Sequence, residues 1–134
     1  MLLGDELTHG IIGAFYDVYN SLRFGFLEAV YANALEHELR GRGFSVAREA
    51  TVDVIYKGTA VGVYRVDMLV NDVIIVEIKA ARFLDSHAEL QVLNYLRATR
   101  REIGLLLHFG VRPAFERFVS TNKPGPYLRD AVAP

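Results

Sequence analysis

The sequence predicts an α/β domain with a central mixed sheet and helices on both faces. Three observations carry this. Two amphipathic helical segments open the chain. Two continuous apolar runs, Val73–Ala80 and Ile103–Phe109, read as central strands covered on both sides. A helical segment lies between those runs, so they should be parallel strands joined by a crossover.

The elements follow in order. Leu7, Ile11, Ile12, Phe15, Val18, Tyr19 and Leu22 keep the three-four spacing of one helix face. Leu27, Val30, Tyr31, Ala34, Leu35 and Leu39 repeat it, and Gly41 and Gly43 end it. Only Ser21–Gly25 separates the two helices, so they should pack as neighbours. Phe44–Arg48 reads as a short strand and Thr51–Tyr56 as an alternating one. Lys57-Gly58-Thr59 reads as a hairpin turn, Val61–Val70 as a longer strand, and Asn71-Asp72 as the next turn. Asp85 to Thr99 is the crossover helix, with Asp85 or Ser86 as its N-cap and Leu90, Leu93 and Leu96 available to the core. Phe115–Ser120 is a last, weaker strand, which makes the order ααββββαββ. Residues 1–120 are read as one domain, and residues 121–134, with Pro124, Pro126 and Pro134, as a tail that adds little to the core.

The 134 residues are long enough for a core without staples, and 51% apolar content excludes disorder. The absence of cysteine excludes disulfides, thiolate zinc sites and cysteine nucleophiles. A net charge of −1 argues against a broadly basic nucleic-acid binder but permits a local basic patch. No apolar run approaches a membrane span and no signal peptide is read, so the expected location is the cytoplasm.

Charges in costly places mark the candidate site. Glu77 and Lys79 sit two apart in the most apolar strand, on one face. Buried ions are expensive unless paired or bound to a metal. Asp67 lies in the preceding strand, ten residues before Glu77. A hairpin symmetric about Asp72 would put Asp67 opposite Glu77, and two carboxylates about 5 Å apart at Cβ repel unless a divalent cation lies between them. A simple two-residue Asn71-Asp72 loop would send them to opposite faces, so this geometry needs an odd-numbered loop or a bulge. Lysine is scarce here, three against twelve arginines, which draws attention to Lys79. His87, Gln91 and Tyr95 share a helix face, and Glu28 and Tyr31 are one turn apart.

Asp67 followed by Glu77-Ile78-Lys79 resembles the PD-(D/E)xK nuclease signature. The run Gly25-Phe26-Leu27-Glu28-Ala29-Val30-Tyr31 matches GxxExxY. Together with Tyr64-Arg65-Val66-Asp67, Val76–Ala80, Gln91–Leu96 and Gly104–Leu106, it makes residues 5–119 similar to the GxxExxY family of that superfamily. The resemblance implies a restriction-endonuclease-like fold and a metal-dependent nuclease acting on nucleic acid, DNA first. It implies that Asp67, Glu77 and the Ile78 carbonyl bind magnesium or manganese. Lys79 would orient the attacking water and stabilise phosphate charge, while Glu28 and Gln91 would contribute from their helices. Metal-assisted phosphodiester hydrolysis needs such a Lewis acid and a positioned hydroxide.

Two stretches depart from the family pattern. His108 stands where Asn is expected, and His87 lies about one residue further from Gln91 than usual. His87 is read as structural or exposed, and His9, His37 and His108 have no ligand spacing. Phe15, Tyr16, Tyr19 and Phe24 are read as core aromatics. Arg97, Arg100 and Arg101 suit a helix C-terminus on dipole grounds, with phosphate contact as a second reading. The alternative function is a catalytically inactive nucleic-acid-binding or accessory module of the same fold, which the low net charge favours. A homodimer could build a basic stripe from two chains.

Overall fold

The computed structural model describes residues 5–99 and 101–120; the expected tail and Arg100 lie outside the described residues. The elements are α1 (Asp5–Leu22), α2 (Glu28–Gly41), β1 (Val46–Tyr56), β2 (Thr59–Val70), β3 (Ile74–Lys79), α3 (His87–Thr99), β4 (Ile103–Phe109) and β5 (Pro113–Val119). The strands form one sheet in the order β1-β2-β3-β4-β5. Only β3 and β4 are parallel, with α3 as their crossover. This is a restriction-endonuclease-like α/β arrangement, and the parallel pair is the pair of apolar runs.

Two cores flank the sheet. Ile11, Phe15, Tyr31, Leu35, Met68, Ile74, Val76, Leu105 and Phe109 form the α1/α2 side. Val52, Val66, Ile75, Ala88, Val92, Leu96 and Leu106 form the α3 side. Each fully buried large side chain contributes about 1.5–3 kcal/mol, so the larger cluster dominates stability. Among the described residues no helix is long and apolar enough to cross a membrane.

The expected order needs one correction. The expected strands Phe44–Arg48 and Thr51–Tyr56 are one strand, β1, which begins only at Val46, giving ααβββαββ. The apparent gap is Glu49, whose φ of 51° is left-handed. Val46 before it packs on the α1/α2 side, while Ala50 and Val52 after it pack on the α3 side. The strand keeps its pairing but changes face.

Three smaller corrections concern single residues. The crossover helix starts at His87 rather than Asp85. Asp85 still serves its start, because its carboxylate accepts the His87 N–H at 2.9 Å. The core face of α3 is Ala88, Val92, Tyr95 and Leu96, whereas Leu90 is exposed. Phe15 and Tyr19 are buried as expected, but Phe24 is largely outside the core, with the Arg82 guanidinium 5.7 Å from its ring centroid. Phe24 falls beyond the last turn of α1, so the helix face that buries Phe15 does not reach it.

Candidate active site

The hairpin between β2 and β3 positions the two central carboxylates. Asn71 and Asp72 both have positive φ, 51° and 58°, as a tight I′-type turn requires. The Val73 N–H closes that turn on the Val70 carbonyl at 3.0 Å. Val73 is then an extra residue, because the ladder pairs Val70 with Ile74, Leu69 with Ile75 and Met68 with Val76. This bulge restores symmetry about Asp72. It supplies the condition under which Asp67 and Glu77 oppose each other.

The ladder stops there. Instead of pairing backbone to backbone, the two residues use their side chains. The Asp67 N–H donates to Glu77 Oε1 at 3.0 Å, and the Ile78 N–H donates to Asp67 Oδ2 at 2.7 Å. The carboxylates act as wedges that satisfy the amides exposed where β2 splays from β3. From this point to Thr59, β2 pairs only with β1.

The two carboxylates are not in equivalent surroundings. Glu77 is 3% exposed and shares the α3-facing side of β3 with Ile75 and Lys79. Asp67 sits where β2 changes face: Val66 packs on the α3 side and Met68 on the α1/α2 side. Its carboxylate lines a cleft of about 230 Å³ with Glu28, Ala29, Arg48, Glu49 and Ile78. The expectation that the two carboxylates share one sheet face is therefore corrected: the face change at Asp67 breaks the alternation it rested on. Asp67 lines the α2-side cleft while Glu77 lies on the α3 side, and the two are joined through their amide hydrogen bonds at the splayed sheet end.

Glu28 reaches this place as the first residue of α2. Gly25, with φ of 125°, turns the chain into the helix in a conformation that a side chain would strain. Tyr31 does not look at the site. It is fully buried, its hydroxyl donates to the Arg23 carbonyl, and it accepts the Phe26 N–H at 3.2 Å. In the GxxExxY run the glycine and tyrosine thus shape the loop, and the glutamate faces the carboxylates.

Lys79 and Gln91 meet on the other side, in a cleft of about 340 Å³ that also takes in His87, Asn94, Tyr64 and Tyr95. Gln91 lies one turn before Tyr95 on the same face of α3, and both line this cleft. Gly104 lets α3 sit close to the sheet: a Cβ there would lie 2.6 Å from Val92 Cγ1. His108, paired in register with Lys79, places Nε2 2.6 Å from the Ala81 carbonyl. It ties down the chain leaving β3.

The electrostatics link both clefts. Burial raises the Glu77 carboxyl to about 7, with Asp67 and Glu28 adding to the rise and Lys79 opposing it. Asp67 is raised by burial, against the Ile78 N–H and Lys79. Glu28 is raised by partial burial, opposed by Lys79 and helped by Asp67. Burial pushes the Tyr95 hydroxyl up to about 12, and Glu77 adds to that. One lysine thus acts on three carboxyls of like sign.

Arg48 and Glu49 were not singled out in the sequence. Arg48 donates to Asn33 and Glu36 of α2, both at 2.9 Å, and its charge reaches Asp67. Glu49 and Asp67 are the two residues that the β1–β2 ladder passes over, between the pairs Arg48–Met68 and Ala50–Val66. Nothing in the local pattern marks Glu49, because its role follows from a left-handed φ within a strand. Arg101 is held by Asp72 and the Thr99 carbonyl at the other end of β3 from Lys79, so it braces the turn rather than the site. Among the described residues no three His, Asp or Glu side chains are gathered closely enough to hold a cation by themselves.

A family model described as the PD-(D/E)XK nuclease superfamily matches residues 5–118. The crystal structure of SSO0001 is similar in fold, with a TM-score of 0.53 and 22% identity over 77% of this chain and 54% of that one. The chain thus spans about half the length of that protein. No curated protein matches the sequence.

Proposed function

The chain belongs to the PD-(D/E)XK nuclease superfamily, and we propose that it hydrolyses phosphodiester bonds, in DNA first, with magnesium or manganese. The carrying observation is the reciprocal bonding of Asp67 and Glu77 at the splayed sheet end. It holds two desolvated, mutually repelling carboxylates together, with Lys79 close enough to bias both. The matching GxxExxY run, with Glu28 directed at the same carboxylates, supports placing the chain in that family of the superfamily.

The donor chemistry fits a hard divalent cation. Asp67, Glu77 and the Ile78 carbonyl offer only oxygen. Their charge is the kind a dication relieves, since burial and like-sign neighbours raise both carboxyls. Such a cation supplies Lewis acidity and an acidified water.

The remaining work falls to the protein. Lys79 Nζ donates to a non-bridging phosphate oxygen and holds positive charge where negative charge grows. Glu28 accepts a hydrogen bond from the attacking water and, with its raised pKa, takes up a proton more readily than an ordinary glutamate. Gln91, which lines the Lys79 cleft beside Tyr95, orients the same water or a phosphate oxygen from the α3 side.

The net charge of −1 favours a second reading, a binding or accessory module that does not cleave. Incubation with single-stranded, duplex and branched DNA and with RNA, in magnesium, manganese or EDTA, tests between them. Cation-dependent cleavage is expected. Nucleic-acid binding with no cleavage in either metal would leave the module reading.

A further inference from the structure

We propose that the cleft between Tyr64 and α3 seats one unpaired nucleobase, so that the strand cut here is single-stranded beside the scissile phosphate. This rests on the hydrolytic reading of Lys79 and deepens it by naming the substrate's form.

The cleft is lined by Lys79, by Tyr64 of β2 and by α3, and neither Asp67 nor Glu77 lines it. Tyr64 and Leu90 on its walls are each 52% exposed. Tyr64 stands on the part of β2 that has left β3, near the Tyr95 ring at a centroid distance of 5.9 Å. The splay created by Asp67 and Glu77 therefore also opens this cleft. An exposed phenol ring and an exposed leucine offer apolar surface and a π face to a flat heterocycle.

Asn94 supplies polarity without charge. It is exposed, and its amide hydrogen-bonds to no other described residue. An amide with donor and acceptor side by side can pair with a base edge. Beyond Lys79 the walls Tyr64, Leu90, Gln91, Asn94 and Tyr95 carry no formal charge, while Asp85 and His87 lie near the start of α3. That lining suits a neutral base better than a further phosphate. It also accounts for nucleic-acid recognition by a chain of net charge −1: grip through bases replaces grip through many phosphates.

Size selects the form of the strand. About 340 Å³ lies in the range of pockets that hold one small ligand. A base within a duplex cannot enter such a pocket without leaving its stack. DNA and RNA single strands both present the required base.

The test uses short single-stranded DNA and RNA oligonucleotides, intact or with one abasic residue scanned along the strand. Binding is measured in calcium, which takes the same oxygen donors; cleavage is measured in magnesium. Tyr64→Ala should weaken binding of the intact strand about tenfold, the scale of one lost base–aromatic stack. Tyr64→Phe should retain it, which separates stacking from misfolding. On the strand whose abasic position matters most, Tyr64→Ala should add little further loss. Additive losses from ring and base removal, or duplex bound and cut as well as single strands, would overturn the pocket and leave the hydrolytic reading standing. Base-dependent binding without hydrolysis in any cation would overturn the hydrolytic reading and leave the pocket standing. Comparison of the DNA and RNA arms identifies the natural strand.

Discussion

Tyr31 and Phe109 stack with ring centroids 4.2 Å apart and planes 19° from parallel, both fully buried. The contact joins α2 to the last residue of β4, so it sets the height at which Glu28, one turn earlier, meets the sheet. Tyr31→Phe should keep the stack but lose the hydroxyl that binds the Arg23 carbonyl and the Phe26 amide. The expected cost is about 1 kcal/mol of stability. Tyr31→Ala should cost about 3–5 kcal/mol through the cavity it leaves. Urea unfolding of both variants checks the ratio; equal losses would place the hydroxyl rather than the ring at the centre of the joint.

The cation-free protein should lose stability as pH rises. Burial pushes the Glu77 carboxyl up to about 7 in the folded chain against its ordinary 4.5, so the folded state binds more protons in that interval. The Glu77 contribution to stability is greatest below pH 4.5, falls through about pH 7 and then levels. The loss is about 3 kcal/mol at most. Glu77→Gln should flatten the slope, and magnesium should stabilise the wild type at pH 8 far more than at pH 5. Urea midpoints in EDTA that climb between pH 5 and 8 would contradict this.

Lys79→Ala should reduce cleavage about a hundredfold or more, the cost of removing one charged group from a developing oxyanion. Magnesium affinity should change little, since Lys79 is assigned to phosphate and water. Single-turnover cleavage and calorimetric titration separate the two effects. If the variant unfolds, Lys79 is a structural partner of Glu77 and the catalytic assignment falls.

Asp67→Asn should act in the opposite order, with cation affinity lost first and cleavage following. Asparagine can still accept the Ile78 N–H through its carbonyl, so the hairpin should survive. Removing one of two repelling charges should raise cation-free stability at pH 8. A lower unfolding midpoint there would mean that the carboxylate holds the hairpin better than the amide.

Gly104→Ala should destabilise the fold by about 1–3 kcal/mol, because the new methyl would meet Val92 at 2.6 Å. The displaced helix carries Gln91, so cleavage should fall further than the stability loss alone explains. Thermal unfolding and cleavage rates on one preparation test this; a rate unchanged at full folding would remove α3 position from the control of the site.

Much of the architecture was legible along the chain. Val73–Ala80 and Ile103–Phe109 are continuous apolar runs, which only a doubly covered strand accommodates, and they are the parallel centre of the sheet. The periodic faces of α1 and α2 were equally plain, because burial on one side imposes a 3.6-residue repeat. The symmetric spacing of Asp67 and Glu77 about Asp72 showed that they could oppose each other, given one extra residue. Tertiary structure decided the rest. The chain at Asn71–Val73 allows a two-residue turn or a bulged one, and only the packed sheet selects the bulge that makes the carboxylates partners. Glu49 and Asp67 lie where β1 and β2 change face, a left-handed kink that alternation cannot forecast since it breaks the alternation itself. Arg48, Tyr64 and Asn94 look like ordinary surface residues in one dimension. Their neighbours come from α2, α3 and the splayed hairpin, and long-range proximity of that kind is a property of packing rather than of local pattern.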